Sequence, residues 1–148
     1  MRGIMTDAWR EISTSWRGGT AFLGTNKDGA QVQIGKLEGQ AGIGPMEAVL
    51  QALAACSGDD VLSILKKKRQ KVSALEIHVR GKRAKNPPRV YTEIHVEYVL
   101  HGTGLKEKDV AQAIRLSQEK YCSVGAMLGK TAVIQTSFQV LASEEPAK

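Results

Sequence analysis

The sequence predicts a single α+β domain spanning residues 1–148. Three observations carry that expectation. Strand-like segments come in groups instead of alternating with helices, one long apolar helical stretch separates the first group from the second, and a shorter helical stretch precedes the last strand. A chain of 148 residues buries a real core without disulfide staples. Its 42% apolar and 24% charged residues are those of a folded chain, not a disordered one.

Trp9 to Trp16 mixes polar and apolar residues, and Arg17-Gly18-Gly19 is a turn signal. Thr20–Thr25 and Ala30–Ile34 flank Asn26-Lys27-Asp28-Gly29, whose Asp-Gly step predicts a hairpin. A glycine-rich loop follows over 35–44. Pro45 then opens a helix, where its missing N–H costs least. Met46, Val49, Leu50, Leu53, Ser57, Val61, Ile64 and Leu65 keep 3.6-residue spacing up to an end near Arg69-Gln70. From Ala48 to Cys56 this helix is apolar or small nearly all round, apart from Gln51. It is therefore expected to be buried on more than one side, under a sheet or between two subunits.

Leu75, Ile77 and Val79 alternate with Glu76, His78 and Arg80. Thr92, Ile94, Val96, Tyr98 and Leu100 alternate with Glu93, His95 and Glu97. These are two half-buried strands, expected to be antiparallel and joined by a stiff Asn86-Pro87-Pro88 loop. Lys106 to about Lys120 is a second helix, with Val110, Ala113, Ile114 and Ser117 on one face. Cys122 follows it, Ser123–Leu128 reads as a short helical turn, and Ile134, Thr136, Phe138 and Val140 mark the last strand. The tail over 142–148 is expected to fray.

The net charge of +6 is concentrated at residues 66–71 and 80–85. The first cluster ends a helix, where cations suit the dipole, and no aromatic residues interleave with either run, so nucleic acid is not an expected partner. No apolar run approaches membrane-spanning length and MRGIMTDAWREI does not read as a signal peptide, so the expected location is the cytoplasm, away from membranes. No P-loop or dinucleotide fingerprint is present. His78, His95 and His101 are scattered, with the first two expected to be solvated, and no metal site or cofactor is expected. Adjacent Asp59 and Asp60 lack the separation of a glycosidase acid–base pair.

Chemistry falls to the two cysteines. In a reducing compartment they are inert core residues or reactive thiols. Cys56 lies in the apolar helix. Cys122 lies just before a short helical turn whose N-terminus is expected to lower its pKa. Periodicity does not show that the two meet.

The run Gly44-Pro45-Met46-Glu47-Ala48-Val49-Leu50-Gln51-Ala52-Leu53-Ala54-Ala55-Cys56 resembles the first motif of the OsmC/Ohr family, the osmotically inducible and organic hydroperoxide resistance proteins. Ser117-Gln118-Glu119-Lys120-Tyr121-Cys122-Ser123-Val124 resembles its second motif, and the element order agrees over about Trp9 to Val140. The resemblance implies antiparallel sheets around a long buried central helix in an intertwined homodimer. It implies that Cys56 attacks an organic hydroperoxide and becomes a sulfenic acid, that Cys122 condenses with it into an intramolecular disulfide, and that a dithiol (a lipoyl group in the Ohr branch) reduces the product. No cofactor is implied.

An activating arginine is expected from the N-terminal strands, with Arg17 the nearest candidate, Arg10 an alternative, and a plain turn role for Arg17 the competing reading. In the Ohr branch the acid orienting that arginine directly follows the motif proline. Here Met46 holds that place and Glu47 comes one position later, about 100° round the helix, in the manner of OsmC-type sequences. Glu47 is thus either catalytic or a first-turn acid favoured by the dipole. Asp59 and Asp60 stand three and four residues beyond Cys56, and a carboxylate beside a thiol disfavours the thiolate. The first expectation is a cysteine-dependent hydroperoxide reductase. The second is a thiol–disulfide redox or sensor protein with the same cysteines and weak peroxide chemistry. The third is a ligand-binding dimer in which the cysteines are dispensable.

Overall fold

The Asn26–Gly29 turn forms because Asn26 Oδ1 accepts the N–H groups of Asp28 (2.9 Å) and Ala30 (3.0 Å), while Gly29 takes φ 87°. It closes a three-stranded antiparallel sheet of β1 (Ile12–Gly18), β2 (Ala21–Asn26) and β3 (Gln31–Ile34), in that order. The computed structural model describes residues 9–142. The first eight residues and residues 143–148 of the tail expected to fray lie outside them, while Ala142 of that tail belongs to the last strand. The chain divides into two compact units, Met1–Ala48 and Val49–Lys148.

In the first unit Gly35 has φ 89°, and a Cβ there would stand 1.8 Å from the Thr20 carbonyl oxygen, so only glycine fits. The Gly35 N–H donates to the Ile43 carbonyl at 2.7 Å, tying the glycine-rich loop to the end of β3. Helix α1 (Pro45–Lys67) starts at the expected proline, with Glu47 Oε1 accepting the Gly44 N–H at 2.8 Å. That bond satisfies one backbone donor at the helix start, in the manner of a capping box. At its other end Arg69 turns left-handed (φ 61°), and the Gln70 N–H reaches back to the Leu65 carbonyl at 2.9 Å.

The second unit holds β4 (Val72–Arg83), β5 (Tyr91–Gly102) and β6 (Val133–Ala142), in the order β4-β5-β6. The expected antiparallel pairing holds for β4 and β5. β6 runs parallel to β5, making this sheet mixed, because the chain crosses over between them through helical segments. Those segments are α2 (Glu107–Leu116), a π-helical turn over Ser117–Tyr121, and α3 (Ser123–Leu128). The core joins Leu53, Val61 and Leu65 of α1 to Ile94, Val96, Tyr98 and Leu100 of β5 and to Val110 and Ala113 of α2, all fully buried. Thr92, expected on the inward face of its strand, is exposed.

Within the single chain α1 buries only one stripe, Leu53, Ser57, Gly58, Val61 and Leu65, while Gln51, Ala52, Ala55, Leu62 and Ser63 are exposed. At Gly58 the helix passes so close to β4 that an added Cβ would meet Ile77 Cδ1 at 2.7 Å. The sequence reading found no apolar run of membrane-spanning length. The 23-residue α1 is nonetheless long and apolar enough to cross a membrane by length and composition alone, a test that central helices packed on sheets also pass.

Candidate active site

Cys122 is placed by three backbone features. The π-helical turn ends at it, its N–H donates to the Ser117 carbonyl at 2.9 Å, and its extended conformation (φ −78°, ψ 103°) makes it the N-cap of α3. Its Sγ accepts the Gly125 N–H at 3.3 Å. A Cβ added at Gly125 would stand 3.3 Å from that sulfur, a tight contact. Cys56, half-buried on α1, lies near enough to the Cys122 thiol to raise it, and both cysteines are free. The fold thus brings together two thiols that lie far apart in sequence.

The two thiols differ. Burial pushes Cys122 up to about 11, with only 3% of its surface exposed. The Gly125 N–H acts in the opposite direction, as the helix-terminus argument from sequence expected, but it does not overcome desolvation. The hydrogen bond to Cys56 and the negative charges of Cys56 and Asp60 raise it further. Burial therefore favours the protonated form of Cys122.

Beside the pair runs a buried chain of hydroxyls that the sequence reading missed. Tyr98 Oη is hydrogen-bonded to Ser57 Oγ, Ser57 Oγ to Ser117 Oγ (3.1 Å), and Ser117 Oγ donates to Asp60 Oδ2 (2.9 Å). Gln118 Nε2 donates to Tyr98 Oη at 3.3 Å. Because the carboxylate only accepts, one direction satisfies every hydroxyl: Gln118 to Tyr98 to Ser57 to Ser117 to Asp60. Tyr98, Ser57 and Ser117 are fully buried. Burial holds the Tyr98 phenol above its ordinary 10.0, against the lowering effect of its bonds to Ser57 and Gln118. A signal for the chain was present in the sequence, as each of these hydroxyl residues occupies an inward position on an otherwise apolar face.

The two aspartates separate. Asp60 is engaged by Ser117, whereas Asp59 is exposed on an open groove of about 700 Å³ between α1 and β4, lined also by Ala54, Leu62 and Leu75. Glu47 caps the start of α1 through Gly44. Arg17 is exposed, at the irregularity in β1 where the pairing with β2 shifts between Trp16 and Gly18, and Arg10 is exposed ahead of β1. Both arginines and Glu47 belong to the first unit, and both cysteines to the second. His78 is exposed as expected. His95 is instead half-buried and hydrogen-bonded to Gln135 across the β5–β6 pair at 2.8 Å. Among the described residues no group of three or more His, Cys, Asp or Glu side chains is arranged to hold a metal ion.

The second unit is thus a mixed-sheet α+β fold holding two free cysteines, one on α1 and one at the N-cap of α3. The chain belongs to the OsmC-like protein family, whose family model matches residues 37–137. It is 41% identical over 133 residues to protein YhfA of Escherichia coli strain K12, covering 90% of this chain and 99% of that one. Among solved structures, a hypothetical protein from Aquifex aeolicus VF5 superposes with a TM-score of 0.82 at 37% identity, covering 93% of this chain and 99% of that one. The organic hydroperoxide resistance protein OhrB of Bacillus subtilis shares the fold at a TM-score of 0.61 and 19% identity, over 89% of this chain and 98% of that one.

Proposed function

We propose that this protein is a cysteine-dependent reductase of organic hydroperoxides, with Cys56 the attacking and Cys122 the resolving thiol. The observation that carries the reading is the placement of two free cysteines together, a half-buried Cys56 near a buried Cys122. The Cys56 thiolate attacks the outer peroxide oxygen and breaks the O–O bond. The alkoxide leaves as the alcohol on taking a proton, and Cys56 becomes a sulfenic acid. The Cys122 sulfur then displaces the sulfenic oxygen, its proton leaves with that oxygen as water, and a Cys56–Cys122 disulfide remains. Proximity in the reduced state favours this second step, protecting Cys56 from irreversible oxidation. An external dithiol restores both thiols by exchange and is itself oxidised to a disulfide. Membership of a family whose relatives include organic hydroperoxide resistance proteins supports the reading, as does the fold shared with OhrB. A cytoplasmic homodimer needing no resident cofactor completes the proposal.

A second reading, a thiol–disulfide redox or sensor protein with slow peroxide chemistry, is favoured by one observation: the Asp60 carboxylate lies where it raises the Cys122 thiol and so opposes formation of its thiolate.

The test is stopped-flow oxidation of the reduced protein by cumene hydroperoxide and by hydrogen peroxide, with mass spectrometry of the product. The peroxidase reading expects rapid loss of two hydrogens per chain, faster with the organic peroxide. It also expects a drop of about 10³-fold or more in Cys56→Ser with thermal stability unchanged. Slow oxidation by both peroxides, with diamide still forming the disulfide, would select the redox or sensor reading.

A further inference from the structure

We propose that Asp60 is a positioning residue for the thiol pair, acting through the hydroxyl chain of Ser117, Ser57 and Tyr98 to fix the π-helical turn that carries Cys122 and to set a negative charge beside that thiol. The proposal deepens the paired-thiol reading above and rests on it.

The geometry begins on α1, where Ser57 is next to Cys56 and Asp60 lies one turn further on. Ser117 is the joint between this helix and the turn. Its side chain bonds both Ser57 and Asp60, while its carbonyl accepts the Cys122 N–H at 2.9 Å. A single residue thus ties the helix that carries Cys56 to the backbone of Cys122. Tyr98 fastens the same chain to β5, and Gln118 fastens it to the next position of the turn. An apolar core would hold the turn without demanding a complete set of donors and acceptors. A buried polar chain makes that demand, and it permits one arrangement of the three elements.

The chain also ends in a charge. The titratable groups that act on Cys122 are Cys56 and Asp60 from α1, and Tyr98 from β5 is coupled to it in turn. Asp60 is the carboxylate among them, and it opposes ionisation of Cys122. The charge adds to burial, the larger effect, in keeping the proton on Cys122. Two thiolates in contact would repel each other, and this placement prevents that state.

The experiment is site-resolved alkylation of the reduced protein by iodoacetamide across pH 7 to about 12, with mass spectrometry reading Cys122 separately from Cys56. In Asp60→Asn the amide oxygen still accepts from Ser117, so the chain is retained and only the charge is lost. The expected result is a Cys122 alkylation midpoint lower than in the native protein, at unchanged circular dichroism. It should be accompanied by severalfold faster diamide-driven formation of the Cys56–Cys122 disulfide near pH 8, where a larger thiolate fraction resolves faster. An unmoved midpoint overturns the proposal, because a purely structural Asp60 would affect stability and not this titration. Should Asp60→Asn fail to fold, Asp60→Ser removes the same charge, leaves a hydroxyl in its place, and is read in the same way. Neither readout involves a peroxide. A protein inert to hydroperoxides with a lowered midpoint would reject the peroxidase reading alone, and an active peroxidase with an unmoved midpoint would reject only the role of Asp60.

Discussion

The two units of the chain hold their shapes by different means. In the first unit β1 is exposed along nearly its whole length, with Ile12 and Trp16 in solvent, and Ala21 of β2 is the one buried apolar side chain among the unit's described residues. Its form depends on backbone closures: the Asn26 turn, the left-handed Gly29, and Gly35 pressed against the Thr20 carbonyl. The second unit buries whole strand and helix faces, and its three fully buried hydroxyl residues are satisfied by one another. The difference teaches where specificity resides. Backbone closure tolerates most side-chain changes and fails at a few glycines, whereas the packed unit is sensitive at many side chains. Both cysteines lie in the packed unit, where a thiol can be held at a fixed distance from another.

The largest expected effect tests the closures. Gly35→Ala must accommodate both a strained φ and a Cβ about 1.8 Å from a carbonyl oxygen, so β2 or β3 has to move. A loss of about 3 kcal/mol or more in urea denaturation is expected, with amide protection falling more in β1–β3 than in β4–β6. Equal loss across both sheets would mean that the two units unfold as one, and the comparison would break.

In the second unit Tyr98→Phe removes the phenol bonded to Ser57 and Gln118 while keeping the ring in the core. The expected cost is about 1–3 kcal/mol, because buried partners lose a hydrogen bond without gaining water. A cost under about 0.5 kcal/mol would show that the chain adds little to the packing around it.

The same unit carries the pH dependence. Cys122 titrates at about 11 in the fold against 9.0 as an ordinary thiol, so above pH 9 the unfolded chain gives up a proton that the folded chain keeps. Stability is therefore fully present below pH 9 and falls as pH rises toward 11, and Tyr98 adds to the fall above 10. Chemical denaturation at pH 8 and pH 10.5 checks the sign. In Cys122→Ser the slope between those values should be shallower.

Much of the second unit was legible in sequence because alternation in β4 and β5 and 3.6-residue spacing in α1 report directly which face is buried. The parallel direction of β6 was not, since strand direction depends on how the α2–α3 crossover packs and not on any residue in β6. The pairing of Cys56 with Cys122 came from motif resemblance, as spacing carries no such information. Ser57, Ser117 and Tyr98 were each readable as inward-facing, but their meeting depends on α1, β5 and the π-helical turn converging. The helix N-terminus at Cys122 was located correctly, yet its electrostatic effect lost to burial, a quantity sequence does not show.

The smallest expected effect bears on a residue whose role sequence left open. Glu47 accepts the Gly44 N–H at 2.8 Å, which accounts for an acid at this place as a helix cap in the first unit. Glu47→Gln keeps an oxygen that can accept that bond and removes only the charge. Glu47→Ala removes both. If the cap is the whole role, the glutamine variant matches the native protein in stability and in oxidation rate, and the alanine variant loses about 0.5–1 kcal/mol. A glutamine variant that keeps its stability but reacts more slowly with cumene hydroperoxide would mean that the charge itself serves the chemistry. The division of labour between a unit shaped by backbone closures and a unit that reacts would then no longer hold at the first turn of α1.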